Sequence, residues 1–190
     1  MESIISADHA LFKLINQSWS NGLFDQIFPF ITDLHKTLYF KIIFLVLIFG
    51  FHFYKFSKKG IFTGLACLLC VGITDWTGNQ FFKKPIDRQR PFEFVHLETI
   101  QRTNAQPGSS FISNHAANMF ALATFSSFIV PATGIILVPF AALAAYSRVY
   151  NGVHFPLDVL GGATWGVLLG FMFSQIVMRY LIQRKSKALT

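Results

Sequence analysis

Residues 37–54 read TLYFKIIFLVLIFGFHFY, a run whose only basic or imidazole side chains are Lys41 and His52. Crossing a hydrocarbon core takes about 20 mostly apolar residues in a helix. Only helices and closed barrels satisfy their own backbone hydrogen bonds in lipid. Comparable runs recur at about 60–82, 113–130, 135–150 and 157–182. They are continuous rather than alternating, which predicts helices. The expected fold is an all-α, polytopic membrane helix bundle of about five transmembrane helices. The chain is 53% hydrophobic and 13% charged, outside the range of ordinary soluble domains. Residues 1–190 therefore read as one integral membrane domain, with an interfacial segment over 1–35 and a transmembrane bundle over 36–182.

The N-terminal segment is amphipathic. Leu11, Leu14 and Ile15 share a helical face, as do Leu23, Phe24, Ile27, Phe28 and Ile31. Asn21-Gly22 separates the two pieces. Helices lying in the membrane interface are predicted, with Trp19 as an anchor. The alternative is a sixth, shallow span at about 23–34. The start MESIISADHA carries an acid where a leader has basic residues, so a cleaved signal peptide is not expected. Cys67 and Cys70 form a C-x-x-C inside the apolar run LACLLCVG, a packing position rather than the exposed, electropositive setting of a redox pair. Asp75, within the second span, is expected to hydrogen-bond a neighbouring helix.

The net charge of +7 comes from Lys and Arg placed mainly between and beside the spans. That placement suits anionic headgroups or phosphate and speaks against a nucleic-acid partner. Lys55, Lys58 and Lys59 lie between spans one and two, while Arg184, Lys185 and Lys187 follow span five. With five spans both groups fall on one side, which the positive-inside rule makes cytoplasmic. The polar loop of residues 83–110 and the turn at 150–156 then share the opposite face. Glycines 162, 166 and 170, spaced by four, predict a close helix–helix approach in span five.

Four polar clusters converge on that outer face. They are Lys83 with Arg90-Pro91, Ser113-Asn114-His115, Ser147-Arg148, and His154 with Asp158. Ionisable groups at the edge of a hydrocarbon slab usually mark function. His154 and Asp158 share a helical face, so the carboxylate can hold one ring nitrogen and leave the other free to attack. Two arginines and a lysine suit three phosphoryl oxygens. A helix N-terminus at span three adds N–H donors for an anion. Two histidines can divide nucleophile from general acid. No metal-type grouping of Cys, His and carboxylates appears.

These residues resemble the type 2 phosphatidic acid phosphatase superfamily. Its motifs are Lys-six residues-Arg-Pro, then Pro-Ser-Gly-His, then Ser-Arg-five residues-His-three residues-Asp. Here they read KKPIDRQRP, ISNH and SRVYNGVHFPLD. The first and third match at every defining position. In the second, Ile112 replaces Pro and Asn114 replaces Gly. Asn tolerates left-handed backbone better than most residues and keeps its N–H, so it is expected to preserve the anion-binding turn. The resemblance covers about residues 60–170, and the N-terminal segment is expected to add little.

The resemblance implies a metal-independent lipid phosphatase without a cofactor. By matching position, His154 would form a phosphohistidine, Asp158 would orient it, and His115 would protonate the leaving oxygen and then activate water. Lys83, Arg90, Arg148 and Ser113, with Asn114 in the turn, would bind the phosphoryl group. The implied substrates are undecaprenyl diphosphate, phosphatidylglycerophosphate, phosphatidate or the 1-phosphate of lipid A. The small size is that of compact bacterial members, which implies an inner membrane with the site facing outward. A phosphotransferase using the same site, or a catalytically weak lipid-phosphate binder, is the alternative. Arg88, His96 and Arg102 are left between substrate contact and solvated loop.

Overall fold

A computed structural model describes residues 2–105 and 108–186. Lys187, the last of the C-terminal basic residues, lies outside them. No strand occurs among the described residues. The chain opens with α1 (Glu2–Lys13), which runs into a π-helical turn at Leu14–Ser18. α2 (Gly22–Asp33) follows, its N-terminus capped by Asn21, whose Oδ1 accepts the Phe24 N–H at 3.0 Å. α3 (Leu38–Phe56) is capped by Thr37, and a tight turn at Ser57 leads into α4 (Lys58–Gly78). α4 continues as a π-helical turn, Asn79–Lys83, and a single turn α5 (Lys84–Ile86). A long loop leads to α6 (Asn114–Ile129), then α7 (Gly134–Tyr150) and α8 (Pro156–Ser186).

The helices fall where the apolar runs place them. Among the described residues, four segments are long and apolar enough to cross a membrane: Leu38–Phe56, Lys58–Glu93, Pro131–Tyr150 and Pro156–Leu181. The remaining expected span, α6, is a helix of 16 residues. At 1.5 Å per residue it covers about 24 Å, short of a full crossing. It lies among α4, α7 and α8 at the centre of the bundle. The alternative span at 23–34 is the 12-residue α2, interrupted by Pro29, and is too short to cross.

Small residues explain the central position of α6. A Cβ on Gly162 would stand 2.3 Å from the Ser113 carbonyl oxygen, on Gly166 2.1 Å from that of Ala117, and on Gly170 2.6 Å from that of Ala121. The four-residue glycine spacing thus lets the backbones of α6 and α8 touch. The mid-bundle core joins Ile48, Cys67, Cys70, Ala121, Leu122, Phe125 and Val177. Cys67 and Cys70 are free, buried thiols, as their apolar setting predicts. A second core at the site end joins Phe12, Ile15, Phe28, Leu97, Val149, Tyr150 and Phe155. It ties α1 and α2 to the start of α8. Outward-facing Leu38, Tyr39, Ile42, Val46 and Leu47 are all at least half exposed, an apolar exterior suited to lipid.

Candidate active site

The π-helical turn and α5 end at Asp87, in left-handed conformation, and the chain then folds back on itself. The Ser110 N–H donates to the Arg88 carbonyl at 2.7 Å, and Ser110 Oγ to the Gln89 carbonyl at 3.1 Å. These bonds clip the two arms of the loop together. Lys83 Nζ donates to the Ser109 carbonyl at 2.9 Å. Arg90 donates through Nε to Gly108 and through Nη1 to the Val153 carbonyl, at 3.1 and 2.9 Å. The Lys and Arg of the first motif are thereby held against the other arm and the α7–α8 turn.

That turn is shaped locally. Gly152 has φ +78°, and a Cβ there would stand 2.7 Å from the Ile100 carbonyl oxygen, so only glycine fits. Asn16 donates to the carbonyls of Ile100 and Tyr150, and Arg102 donates to the Tyr150 carbonyl and to Asp25. Arg102 is therefore a clamp on the turn, not a substrate contact. Pro156 opens α8 as its first residue, and Asp158 Oδ2 accepts the Phe155 N–H at 2.8 Å. A side chain three residues in, bonding back to the residue before the helix, is the logic of a capping box. It leaves His154 just before the helix, one turn from Asp158.

His154 Nδ1 lies 3.5 Å from Asp158 Oδ2, and His154 Nε2 lies 3.4 Å from Arg90 Nη1. Beside a guanidinium N–H donor, Nε2 keeps its lone pair, so the ring proton belongs on Nδ1, facing the carboxylate. Burial, opposed by Asp158 and reinforced by Arg148 and Arg90, pushes the His154 imidazole down to about 3. The ring is thus held neutral, the form that can attack phosphorus. Arg148 Nη1 donates to Thr32 Oγ1 at 3.2 Å, and Thr32 Oγ1 lies 2.9 Å from Ser147 Oγ. Arg148, the arginine of the third motif, therefore leans on α2.

A cavity of about 380 Å³ opens between these parts. Lys83, Arg90, Arg148, His115 and His154 line it together, with Lys36, Asn104 and Ala105 at its rim. Its other wall is Asp75, Asn114 and Asn118. Asp75 Oδ1 accepts from Asn114 Nδ2 and Asn118 Nδ2 at 3.1 and 2.9 Å. Asp75 thus makes the interhelical bonds its place in a span predicts, and it also borders the cavity.

Six of the eight sequence-predicted residues lie here as expected, His154, His115, Lys83, Arg90 and Arg148 on the cavity and Asp158 behind His154. The other two are placed differently. Ser113 is fully buried and caps α6, its Oγ accepting the Ala116 N–H at 3.4 Å and its N–H donating to the Asp158 carbonyl. It stands behind the wall. Asn114 is the first helical residue of α6 and not left-handed. Its amide donors go to Asp75, so the turn uses a helical residue where the sequence suggested a left-handed one. Ile112 is buried beside Gly161. Sequence reasoning missed Thr32, Asn118 and Asp8, and gave Arg88 no definite role. Arg88 bridges Asp158 Oδ1 at 2.6 Å and Asp8 Oδ2 at 2.5 Å. The N-terminal segment, which adds little to the resemblance, therefore supports the site from behind through Asp8 and Thr32, because α1 and α2 pack on the α7–α8 turn. The signal available was Asp8 itself, an acid in an otherwise apolar helical stripe.

A bundle of apolar helices, closed at one end around a cationic cavity with a His–Asp pair in its wall, defines a membrane-embedded protein with a site for an anion. The family model of the PAP2 superfamily matches residues 63–182, and the chain belongs to that superfamily. It is 30% identical over 183 residues to the lipid A 4'-phosphatase of Porphyromonas gingivalis, covering 94% of this chain and 76% of that protein. It is 31% identical over 195 residues to phosphatidylglycerophosphatase B of Bacillus subtilis, covering 94% and 88%. Undecaprenyl-diphosphatase BcrC of Bacillus subtilis is 28% identical over 167 residues, covering 87% and 82%. Among solved structures, the transmembrane PAP2 type phosphatidylglycerolphosphate phosphatase of Bacillus subtilis superposes with a TM-score of 0.75 at 26% identity, over 94% of this chain and 88% of that one. LpxE of Aquifex aeolicus gives 0.67 at 26% identity, over 87% and 93%.

Proposed function

We propose that this protein is an integral membrane phosphatase that removes phosphate from a lipid phosphate or diphosphate through a phosphohistidine on His154. The observation that carries the reading is the neutral, buried His154, backed by Asp158 and facing a cavity lined by Lys83, Arg90 and Arg148. The named relatives are phosphatases of different lipids, and what they share is a terminal phosphoryl group rather than a headgroup. Undecaprenyl diphosphate, phosphatidylglycerophosphate, phosphatidate and lipid A phosphates are the candidates.

In the first step His154 Nε2 forms a bond to phosphorus while the bond from phosphorus to the lipid oxygen breaks. The electron pair leaves with that oxygen, and His115 gives it a proton. In the second step water attacks phosphorus and yields its proton to His115. The Nε2–P bond breaks, returning neutral imidazole and inorganic phosphate. Lys83, Arg90 and Arg148 stabilise the charge on the phosphoryl oxygens throughout, and fixed charges of this kind supply most of the rate enhancement in such chemistry. Their positive charges do the work that a metal ion does in other phosphatases.

The site end of α4 is opposite the end that carries Lys58 and Lys59, so the positive-inside rule puts the cavity on the outer face of the membrane. A bacterial inner membrane is the location that fits, because the named relatives are bacterial proteins. The test is phosphate release in detergent micelles with EDTA present, across lipid mono- and diphosphates. Wild type is expected to act on one lipid class, with His154→Ala and His115→Ala each losing at least about a thousandfold. Activity that survives His154→Ala, or that EDTA removes, would refute the reading.

A further inference from the structure

We propose that Asp8 and Arg88 form a positioning relay, carried in part by the N-terminal helix, that fixes Asp158 and through it the His154 imidazole. It rests on the proposed function, in which His154 is the nucleophile. Neither residue touches the cavity, so neither is a catalytic residue.

The geometry is closed on every side. Arg88 Nη1 donates to Asp158 Oδ1 at 2.6 Å, and Nη2 donates to Asp8 Oδ2 at 2.5 Å. The guanidinium carbon lies 4.3 Å from the centre of the Phe155 ring, so the group is stacked as well as forked. An arginine used this way cannot be exchanged for lysine without loss. Asp8 Oδ1 accepts the Leu157 N–H at 2.9 Å, which pins the first turn of α8 to α1. Asp8 is 4% exposed and Asp158 is fully buried. Two buried carboxylates around one guanidinium are stable only as a set, because removing the cation leaves both uncompensated. Asp158 is thereby held from two sides, by Arg88 and by the Phe155 N–H, with its edge turned to His154 Nδ1. The charge it presents to the imidazole is also set by how fully Arg88 neutralises it.

That last point separates a relay from a mere strut. The charged and titratable groups around His154 are Asp158 from α8, Arg148 from α7, Arg90 from the loop, and Lys83, His115 and Asp75 across the cavity. With Arg88→Gln, Asp158 loses its counter-ion and draws the imidazole proton more strongly. The acid limb of kcat/KM moves to higher pH. With Asp8→Asn, Arg88 no longer shares its charge and neutralises Asp158 more fully, so the same limb moves to lower pH. In both, kcat falls on the order of 10- to 100-fold, the cost of a misplaced reacting group, with KM little changed. Arg88→Lys restores the limb but only part of kcat. The double variant loses no more than Arg88→Gln alone, since the two act as one unit.

The same shifts are read without turnover by NMR of isotopically labelled histidine, following the His154 ring across pH in folded, detergent-solubilised protein. Opposite displacements in the two single variants support the relay. Limbs and ring titrations that superimpose on wild type, with the loss of activity matching a loss of folded protein, would overturn it in favour of a purely structural tie. Failure of the proposed function shows separately, as wild-type turnover insensitive to His154→Ala.

Discussion

His154 is nearly solvent-free, and its imidazole pays for that position in protonation. The folded state holds the ring neutral down to about 3, whereas an unfolded histidine takes up its proton near 6.5. The folded state therefore binds fewer protons over that window. Its stability is fully present above about 6.5 and is lost as pH falls towards 3. The thermal midpoint of wild type in detergent is expected to drop between pH 6.5 and 4, and His154→Gln, which does not titrate, should flatten part of that slope. A slope unchanged by the substitution would place the titrating group elsewhere. Residue identities at this site were readable because the motif spacings are fixed by one helical turn, by a five-residue turn and by a short clip. The direction of each side chain was not readable. Ser113 and Asn114 look like phosphate ligands in one dimension. In three, Ser113 caps its own helix and Asn114 is claimed by Asp75. Arg88 sits in a run of charges that looks solvated until Asp8 arrives from 80 residues away.

Helices were the most legible element, since the apolar runs end at or near a charge, a Pro or a Gly, such as Lys55, Lys83, Pro131 and Gly152. The loop between α5 and α6 was the least legible. It has no periodicity, and its shape is written in bonds to distant parts, such as Lys13 to His96 and Gln17 to Leu97. His96 accordingly rests against α1, not in the cavity. The glycine seam lies between these extremes, with its spacing plain and its partner hidden. Gly166→Ala would put a Cβ 2.1 Å from the Ala117 carbonyl oxygen. A lower midpoint is expected, by roughly 1–3 kcal/mol, as for other overpacked sites. Gly72→Ala, where nothing lies within 4 Å, is the control and should be neutral or slightly stabilising. Equal effects at the two positions would show that α6 and α8 are not in backbone contact.

At the scale of the molecule, the proposed orientation rests on charge. Val95 is 93% exposed, on the loop that also carries Arg90. A Val95→Cys variant is expected to react with a membrane-impermeant thiol reagent from outside intact cells, while Cys67 and Cys70 stay silent. Labelling only after lysis would reverse the assignment. The N-terminal helices belong in the same picture. Ile4, Ile5 and Leu11 of α1 are exposed, while Asp8 and Phe12, in the same helical stripe, are buried against the bundle. The seam between α6 and α8 has a mechanical consequence. With main chain against main chain and only the first side-chain carbons of Ala116 and Thr124 beside the seam, there is little to compress and little room to slide. His115 at the head of α6 and His154 with Asp158 at the head of α8 therefore ride on a single stiff body. In the proposed mechanism, the proton donor and the attacking nitrogen then keep one spacing through both halves of a turnover. Any widening that lets a bulky lipid in or out falls to the opposite jaw, where Lys83 and Arg90 hang on a loop and Arg148 leans on Thr32.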